Sequence, residues 1–130
     1  MTASELLVIA SHLAKPFHPS EDCTAGEVAA ALVTTSGNVY TGVCVDSECS
    51  VGFCAEHAAV AEMLKAHESE IDLIVAVDCN GAVGAPCGRC RELIWQVSPH
   101  NARTRVMVGP TEMMTLAELL PLRGNQEERE

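Results

Sequence analysis

Five consecutive apolar residues, Leu73 to Val77 (LIVAV), constrain this chain more than any other stretch. The run has no polar alternate position and is far too short to cross a bilayer, so it reads as a strand buried on both faces. Such a strand needs an apolar layer above it and another below. The flanking sequence predicts helices to supply them. Ser4 is placed to cap a first helix whose stripe is Leu6, Ile9, Ala10 and Leu13, ending before Pro16. Val28 to Thr34, the turn TSGN and the segment VYTGVCV predict a hairpin, followed by a loop from Asp46 to Gly52. An alanine-rich helix is expected from Cys54 to about His67 and another from about Gly88 to Ser98, with RVMV as a strand after it. Thr115 and Glu118 have the spacing of a capping box for a short last helix that stops at Pro121. Helices alternating with strands after one hairpin predict an α/β fold, a three-layer α/β/α sandwich around a mixed sheet.

The 130 residues suit a single domain, 1–130, with enough apolar content, 48%, to form a core without staples. The formal charge of -10 repels polyphosphate, which excludes the usual Lys/Arg nucleic-acid surface and favours a small neutral or cationic ligand. Part of that charge lies in NQEERE, read as a solvated tail. No apolar run approaches the roughly 20 residues of a membrane span, and MTASELLVIASHLAK has no basic leader or small-residue cleavage site, so a soluble cytoplasmic protein is expected. In that setting seven cysteines indicate thiols or metal rather than a disulfide framework.

Two of those cysteines lie in GAPCGRCREL, and the CxxC spacing of Cys87 and Cys90 serves disulfide exchange, structural zinc or catalytic zinc. Both fall on one helical stripe with Ile94 and Val97, which predicts that both face inward. No second CxxC exists to complete a four-ligand structural site, and a redox pair leaves the cysteine of FCAEH unexplained. Cys54 is expected at a helix cap, where the N-terminus favours the thiolate that zinc requires. Cys54, Cys87 and Cys90 would then hold Zn2+ with the fourth position open, the arrangement of a catalytic site, and Glu56 would be poised over it. Three thiolates call for a compensating cation. Arg91, next to Cys90, is the candidate to donate to a ligand sulfur.

CAE followed about thirty residues later by PCGRC resembles the cytidine deaminase superfamily, and AAL, TGV, SED and ELLP extend the resemblance over nearly the whole chain. The resemblance implies a cytidine deaminase-like fold in which Cys54, Cys87 and Cys90 bind zinc and Glu56 shuttles protons during hydrolytic release of ammonia. It implies that the backbone at Ala55 contacts a pyrimidine carbonyl. His57 stands where the family commonly has an arginine, and can donate to a ligand sulfur. Cys44 and Asp46 occupy the positions of the asparagine and glutamate that hold the ribose in similar nucleoside deaminases, so the sugar site is not carried over with the chemistry. The implied substrate is a small free aminated heterocycle, foremost a cytosine-type nucleoside such as cytidine or deoxycytidine. The alternatives are a cytosine-containing aminonucleoside antibiotic of the blasticidin S type or, in another class, a silent zinc scaffold or a thiol redox protein. A homodimer or homotetramer is also implied, with no nucleic-acid or membrane partner.

Overall fold

The computed structural model describes residues 1–122; the tail expectation for NQEERE lies outside them. Four helices, α1 (Ala3–Leu13), α2 (Ala55–Lys65), α3 (Gly88–Val97) and α4 (Leu116–Leu119), surround six strands. The strands are β1 (Phe17–Ser20), β2 (Cys23–Thr34), β3 (Val39–Ser47), β4 (Ile71–Asp78), β5 (Arg105–Met107) and β6 (Met113–Thr115). They form one mixed sheet. β2 pairs antiparallel with β3 on one side and β4 on the other; β4 pairs parallel with β5, and β5 antiparallel with β6. β1 pairs with the start of β2.

The apolar run of β4 is buried on both faces, as its composition predicts. Leu73, Val75 and Val77 join Ala29, Ala31 and Val33 of β2 under Leu6 and Ala10 of α1. The alternate residues, Ile74 and Ala76 with Ala30 and Leu32, pack against Ala59, Val60 and Met63 of α2 and Ile94 and Trp95 of α3. The sheet therefore lies between α1 and a layer containing α2, α3 and α4, the three-layer sandwich expected from the sequence.

Local chemistry sets the boundaries. Thr2, not Ser4, caps α1: its hydroxyl accepts from the Glu5 N–H at 3.1 Å and the Glu5 carboxylate accepts from the Thr2 N–H at 3.0 Å, a complete capping box. The buried stripe is accordingly Leu6, Ala10 and Ala14, while Leu13 is exposed. The Asp46–Gly52 stretch is only partly loop: β3 continues through Ser47, and a short 3-10 turn follows at Glu48–Ser50. The Thr115–Glu118 box forms as predicted and starts α4.

One glycine decides how closely α2 lies on the sheet. A Cβ on Gly42 of β3 would stand 2.4 Å from the Ala59 nitrogen and 2.5 Å from the Ala58 Cβ. A glycine there, facing small residues on α2, lets the helix backbone approach the strand.

Candidate metal and active site

The two cysteine motifs arrive at one place because each precedes a helix. Cys54 is the N-cap of α2 and Cys87 the N-cap of α3, both with extended backbone. An N-cap residue is not on the helical stripe, which explains a difference from the sequence reading: Cys90, inside α3, is buried as expected, whereas Cys87 is exposed. All three thiols are free. Their sulfurs lie within 4.8 Å of one another, and the Cys54 and Cys87 Sγ atoms are 3.2 Å apart. Three soft sulfur donors in one small cluster suit zinc.

Their ionisation differs with position. Burial pushes the Cys54 thiol up to about 11, with the bond to Cys87 adding to the shift. Burial, followed by the neighbouring Glu56 carboxylate, raises Cys90 further. Burial also opposes ionisation of Cys87, but the backbone N–H of Cys90, the Cys54 thiol and the N–H of Arg89 outweigh it and hold that thiol below its ordinary value. Cys87 is thus the readiest thiolate, at a helix N-terminus that favours negative charge.

Glu56, in the first turn of α2, is 5% exposed, and burial raises its carboxyl pKa. It sits on the wall of an open cavity of about 710 Å³, along with Cys54, Cys87 and Ala55. A buried, proton-retaining carboxyl beside a cluster of metal-binding sulfurs is equipped to accept and return a proton. Ala55 opens α2, where the first N–H groups have no partner within the helix and can donate to a bound carbonyl.

Cys44 and Asp46 are on the same wall. The Cys44 Sγ accepts from the Val28 N–H at 3.3 Å and lies 3.7 Å from the Asp46 carboxylate; burial raises the thiol's pKa. Asp46 is exposed to the cavity mouth. The other two predicted residues are placed differently. Arg91 donates from Nε to the Pro86 carbonyl at 2.8 Å and from Nη1 to the Leu119 carbonyl at 3.2 Å. The His57 ring lies 5.2 Å from that of Phe53, and its Nδ1 is buried without a hydrogen-bond partner among the described residues.

Sequence reading missed several wall residues: Glu27, Phe53, Asp78 and Arg89. Asp78 could have been found, since it ends a buried strand and ligands in α/β sheets bind beyond the carboxyl ends of strands. Glu27 pairs with no motif, and only the fold brings it to the cavity. The titratable wall is predominantly acidic, with Glu27, Asp46, Glu56 and Asp78 against Arg89.

Residues 1–106 match the family model described as the cytidine and deoxycytidylate deaminase zinc-binding region. Blasticidin-S deaminase of Bacillus cereus is 32% identical over 74% of this chain and 75% of its own length. A cytidine deaminase of Mycobacterium tuberculosis (strain H37Rv) is 30% identical over 72% of this chain and 69% of its own. The crystal structure of cytidine deaminase from Mycobacterium tuberculosis superposes with a TM-score of 0.80 at 26% identity, covering 96% of this chain and 98% of that one.

Proposed function

Because the chain belongs to the cytidine and deoxycytidylate deaminase family of zinc-dependent hydrolytic deaminases, we propose that it deaminates a small free cytosine-type nucleoside, cytidine or deoxycytidine. The observation that carries this reading is Glu56: a buried carboxyl of raised pKa, in the first turn of the helix capped by Cys54, on the wall of a cavity large enough for a nucleoside. Cys54, Cys87 and Cys90 would hold the zinc, which when bound supplies the Lewis acidity that makes water a nucleophile near neutral pH. Glu56 accepts the proton that water loses on attacking the amine-bearing ring carbon. It gives that proton to the ring nitrogen, then takes the second proton from the added hydroxyl as the new carbonyl forms and passes it to the departing amine, so that one water is consumed and one ammonia leaves. The free N–H groups at the start of α2, at Ala55, orient the pyrimidine carbonyl.

The acidic wall supports an uncharged or cationic ligand over a phosphorylated one. Cys44 is occupied by Val28 and Asp46, leaving the Asp46 carboxylate as the nearer acceptor for a sugar hydroxyl. The same acidity, together with the blasticidin-S deaminase relative, favours a second reading: a cytosine-containing aminonucleoside of the blasticidin S type. The reading takes residues 1–130 as one domain, acting in the cytoplasm as a homodimer or homotetramer; light scattering that gave a monomer at micromolar concentration would contradict the assembly.

Ammonia release from cytidine, deoxycytidine, deoxycytidylate, cytosine and blasticidin S separates the alternatives. Turnover of the two nucleosides without deoxycytidylate is the expected result. Turnover of blasticidin S alone would establish the second reading. Zinc-loaded protein inert toward every member of the panel would favour a silent scaffold, and metal-free protein with a reversible Cys87–Cys90 disulfide would favour redox chemistry.

A further inference from the structure

Arg91 follows the last proposed metal ligand, yet its guanidinium reaches backward and across to two carbonyls, those of Pro86 and Leu119. Pro86 is buried and, being a proline, has no N–H, so its carbonyl is the only main-chain polar group it must satisfy. It is also the residue immediately before Cys87. Among the described residues, the hydrogen bonds found on the main chain of residues 85–87 both come from Arg91: the guanidinium on Pro86 and the Arg91 N–H on the Cys87 carbonyl at 2.9 Å. Leu119 is the last residue of α4, where carbonyls are left without helical partners and a cation is favourable.

Building on the proposal that Cys54, Cys87 and Cys90 hold zinc, we infer that Arg91 is a positioning residue for the metal site, fixing the direction in which the chain enters Cys87 by clamping Pro86 to the end of α4. The planar fork donates in two directions at once. An ammonium on a lysine stem keeps the charge but not that geometry. Loss of the clamp frees the 85–87 segment, so Cys87, the most exposed of the three sulfur-bearing residues, is the ligand that loosens.

The test compares Arg91→Ala and Arg91→Lys with Leu6→Ala, which empties a fully buried core position in α1, on the face of the sheet opposite α3 and α4. Zinc release is followed with a chromogenic chelator, and the cobalt-substituted proteins are examined for sulfur-to-metal charge-transfer absorption. Arg91→Ala should release zinc about 10- to 100-fold faster than wild type, the range for groups that orient a metal ligand, and shift the cobalt band. Arg91→Lys should fall between, and it supplies the comparison should the alanine variant not fold. Leu6→Ala should lower the melting temperature while keeping the release rate within about twofold of wild type, as expected of a change that acts on packing alone. Arg91 variants that match wild type in release rate and cobalt spectrum would overturn the role of Arg91 alone. A wild-type protein without cobalt–thiolate absorption would overturn the three-sulfur site as well.

Discussion

The sulfurs of Cys54 and Cys87 meet at 3.2 Å although the residues are 33 positions apart, because each caps a different helix and the two helices begin at the same end of the sheet. Their roles are equivalent in position but not in ionisation, since burial holds Cys54 protonated while the first turn of α3 favours the Cys87 thiolate. Replacing either by serine should cut zinc affinity by more than about 100-fold, beyond the range for groups that merely support a ligand. Equilibrium dialysis against a zinc buffer measures it; zinc held at wild-type affinity by both variants would remove the pair from the site.

Zinc binding should depend steeply on pH. Cys54 and Cys90 are both raised and enter the metal site protonated near neutrality, so two protons must leave for zinc to bind, and a third below the lowered value of Cys87. The logarithm of the affinity should therefore climb about two to three decades per pH unit around neutrality, because each ligand must be deprotonated. Calorimetry in buffers of different ionisation enthalpy counts the protons released; a value below one contradicts the assignment.

Glu56→Gln should keep zinc and lose about 10²- to 10⁴-fold in kcat, the usual contribution of a positioned acid–base group. The same variant reports on stability. Burial raises the folded-state pKa of Glu56 above the ordinary 4.5, so the folded protein holds this proton more tightly than the unfolded chain does. The stabilisation is complete below the unfolded value and is lost as pH rises through the folded one. In metal-free protein the melting temperature of wild type, relative to the glutamine variant, should fall over that window. A constant difference would mean that the carboxyl is not desolvated.

Gly42→Ala should act on the site from a distance. The new Cβ would meet the Ala59 nitrogen at 2.4 Å, and that atom is helix backbone, unable to swing aside. A cost of about 1–3 kcal/mol is expected from overpacking, with α2 pushed outward and Cys54 and Glu56 carried along with it. Thermal unfolding and kcat should fall together; unchanged values for both would show that the strand gives way instead.

The elements that place the site were legible because they carry strong periodic or capping signals. LIVAV needs two apolar covers, and TSGN needs a turn; Gly37 there has φ of +90°. Cys54 had to lie at a cap for Glu56 to share its side, and it does. What escaped was short or made by tertiary contact. β1, FHPS, is exposed throughout and contains a proline, so nothing in its composition resembles a strand. β6 has three residues and exists only as the edge partner of β5. Extending the α3 stripe back to Cys87 failed because a stripe begins inside the helix, one residue later. The direction of Arg91 was equally hidden: its acceptors are two carbonyls, one of them 28 residues away, and a carbonyl leaves no mark in a sequence.

The pairing of β2 with β4 sets when the metal can be captured. A ribosome delivers the hairpin and α2 first, so Cys54 and Glu56 can dock on their strands while Cys87 and Cys90 are still unmade. The remaining two sulfurs arrive only when β4 has settled beside β2 and α3 has folded back over it. Bringing all three sulfurs together therefore depends on a long-range strand pairing as well as on the two local caps that carry the motifs.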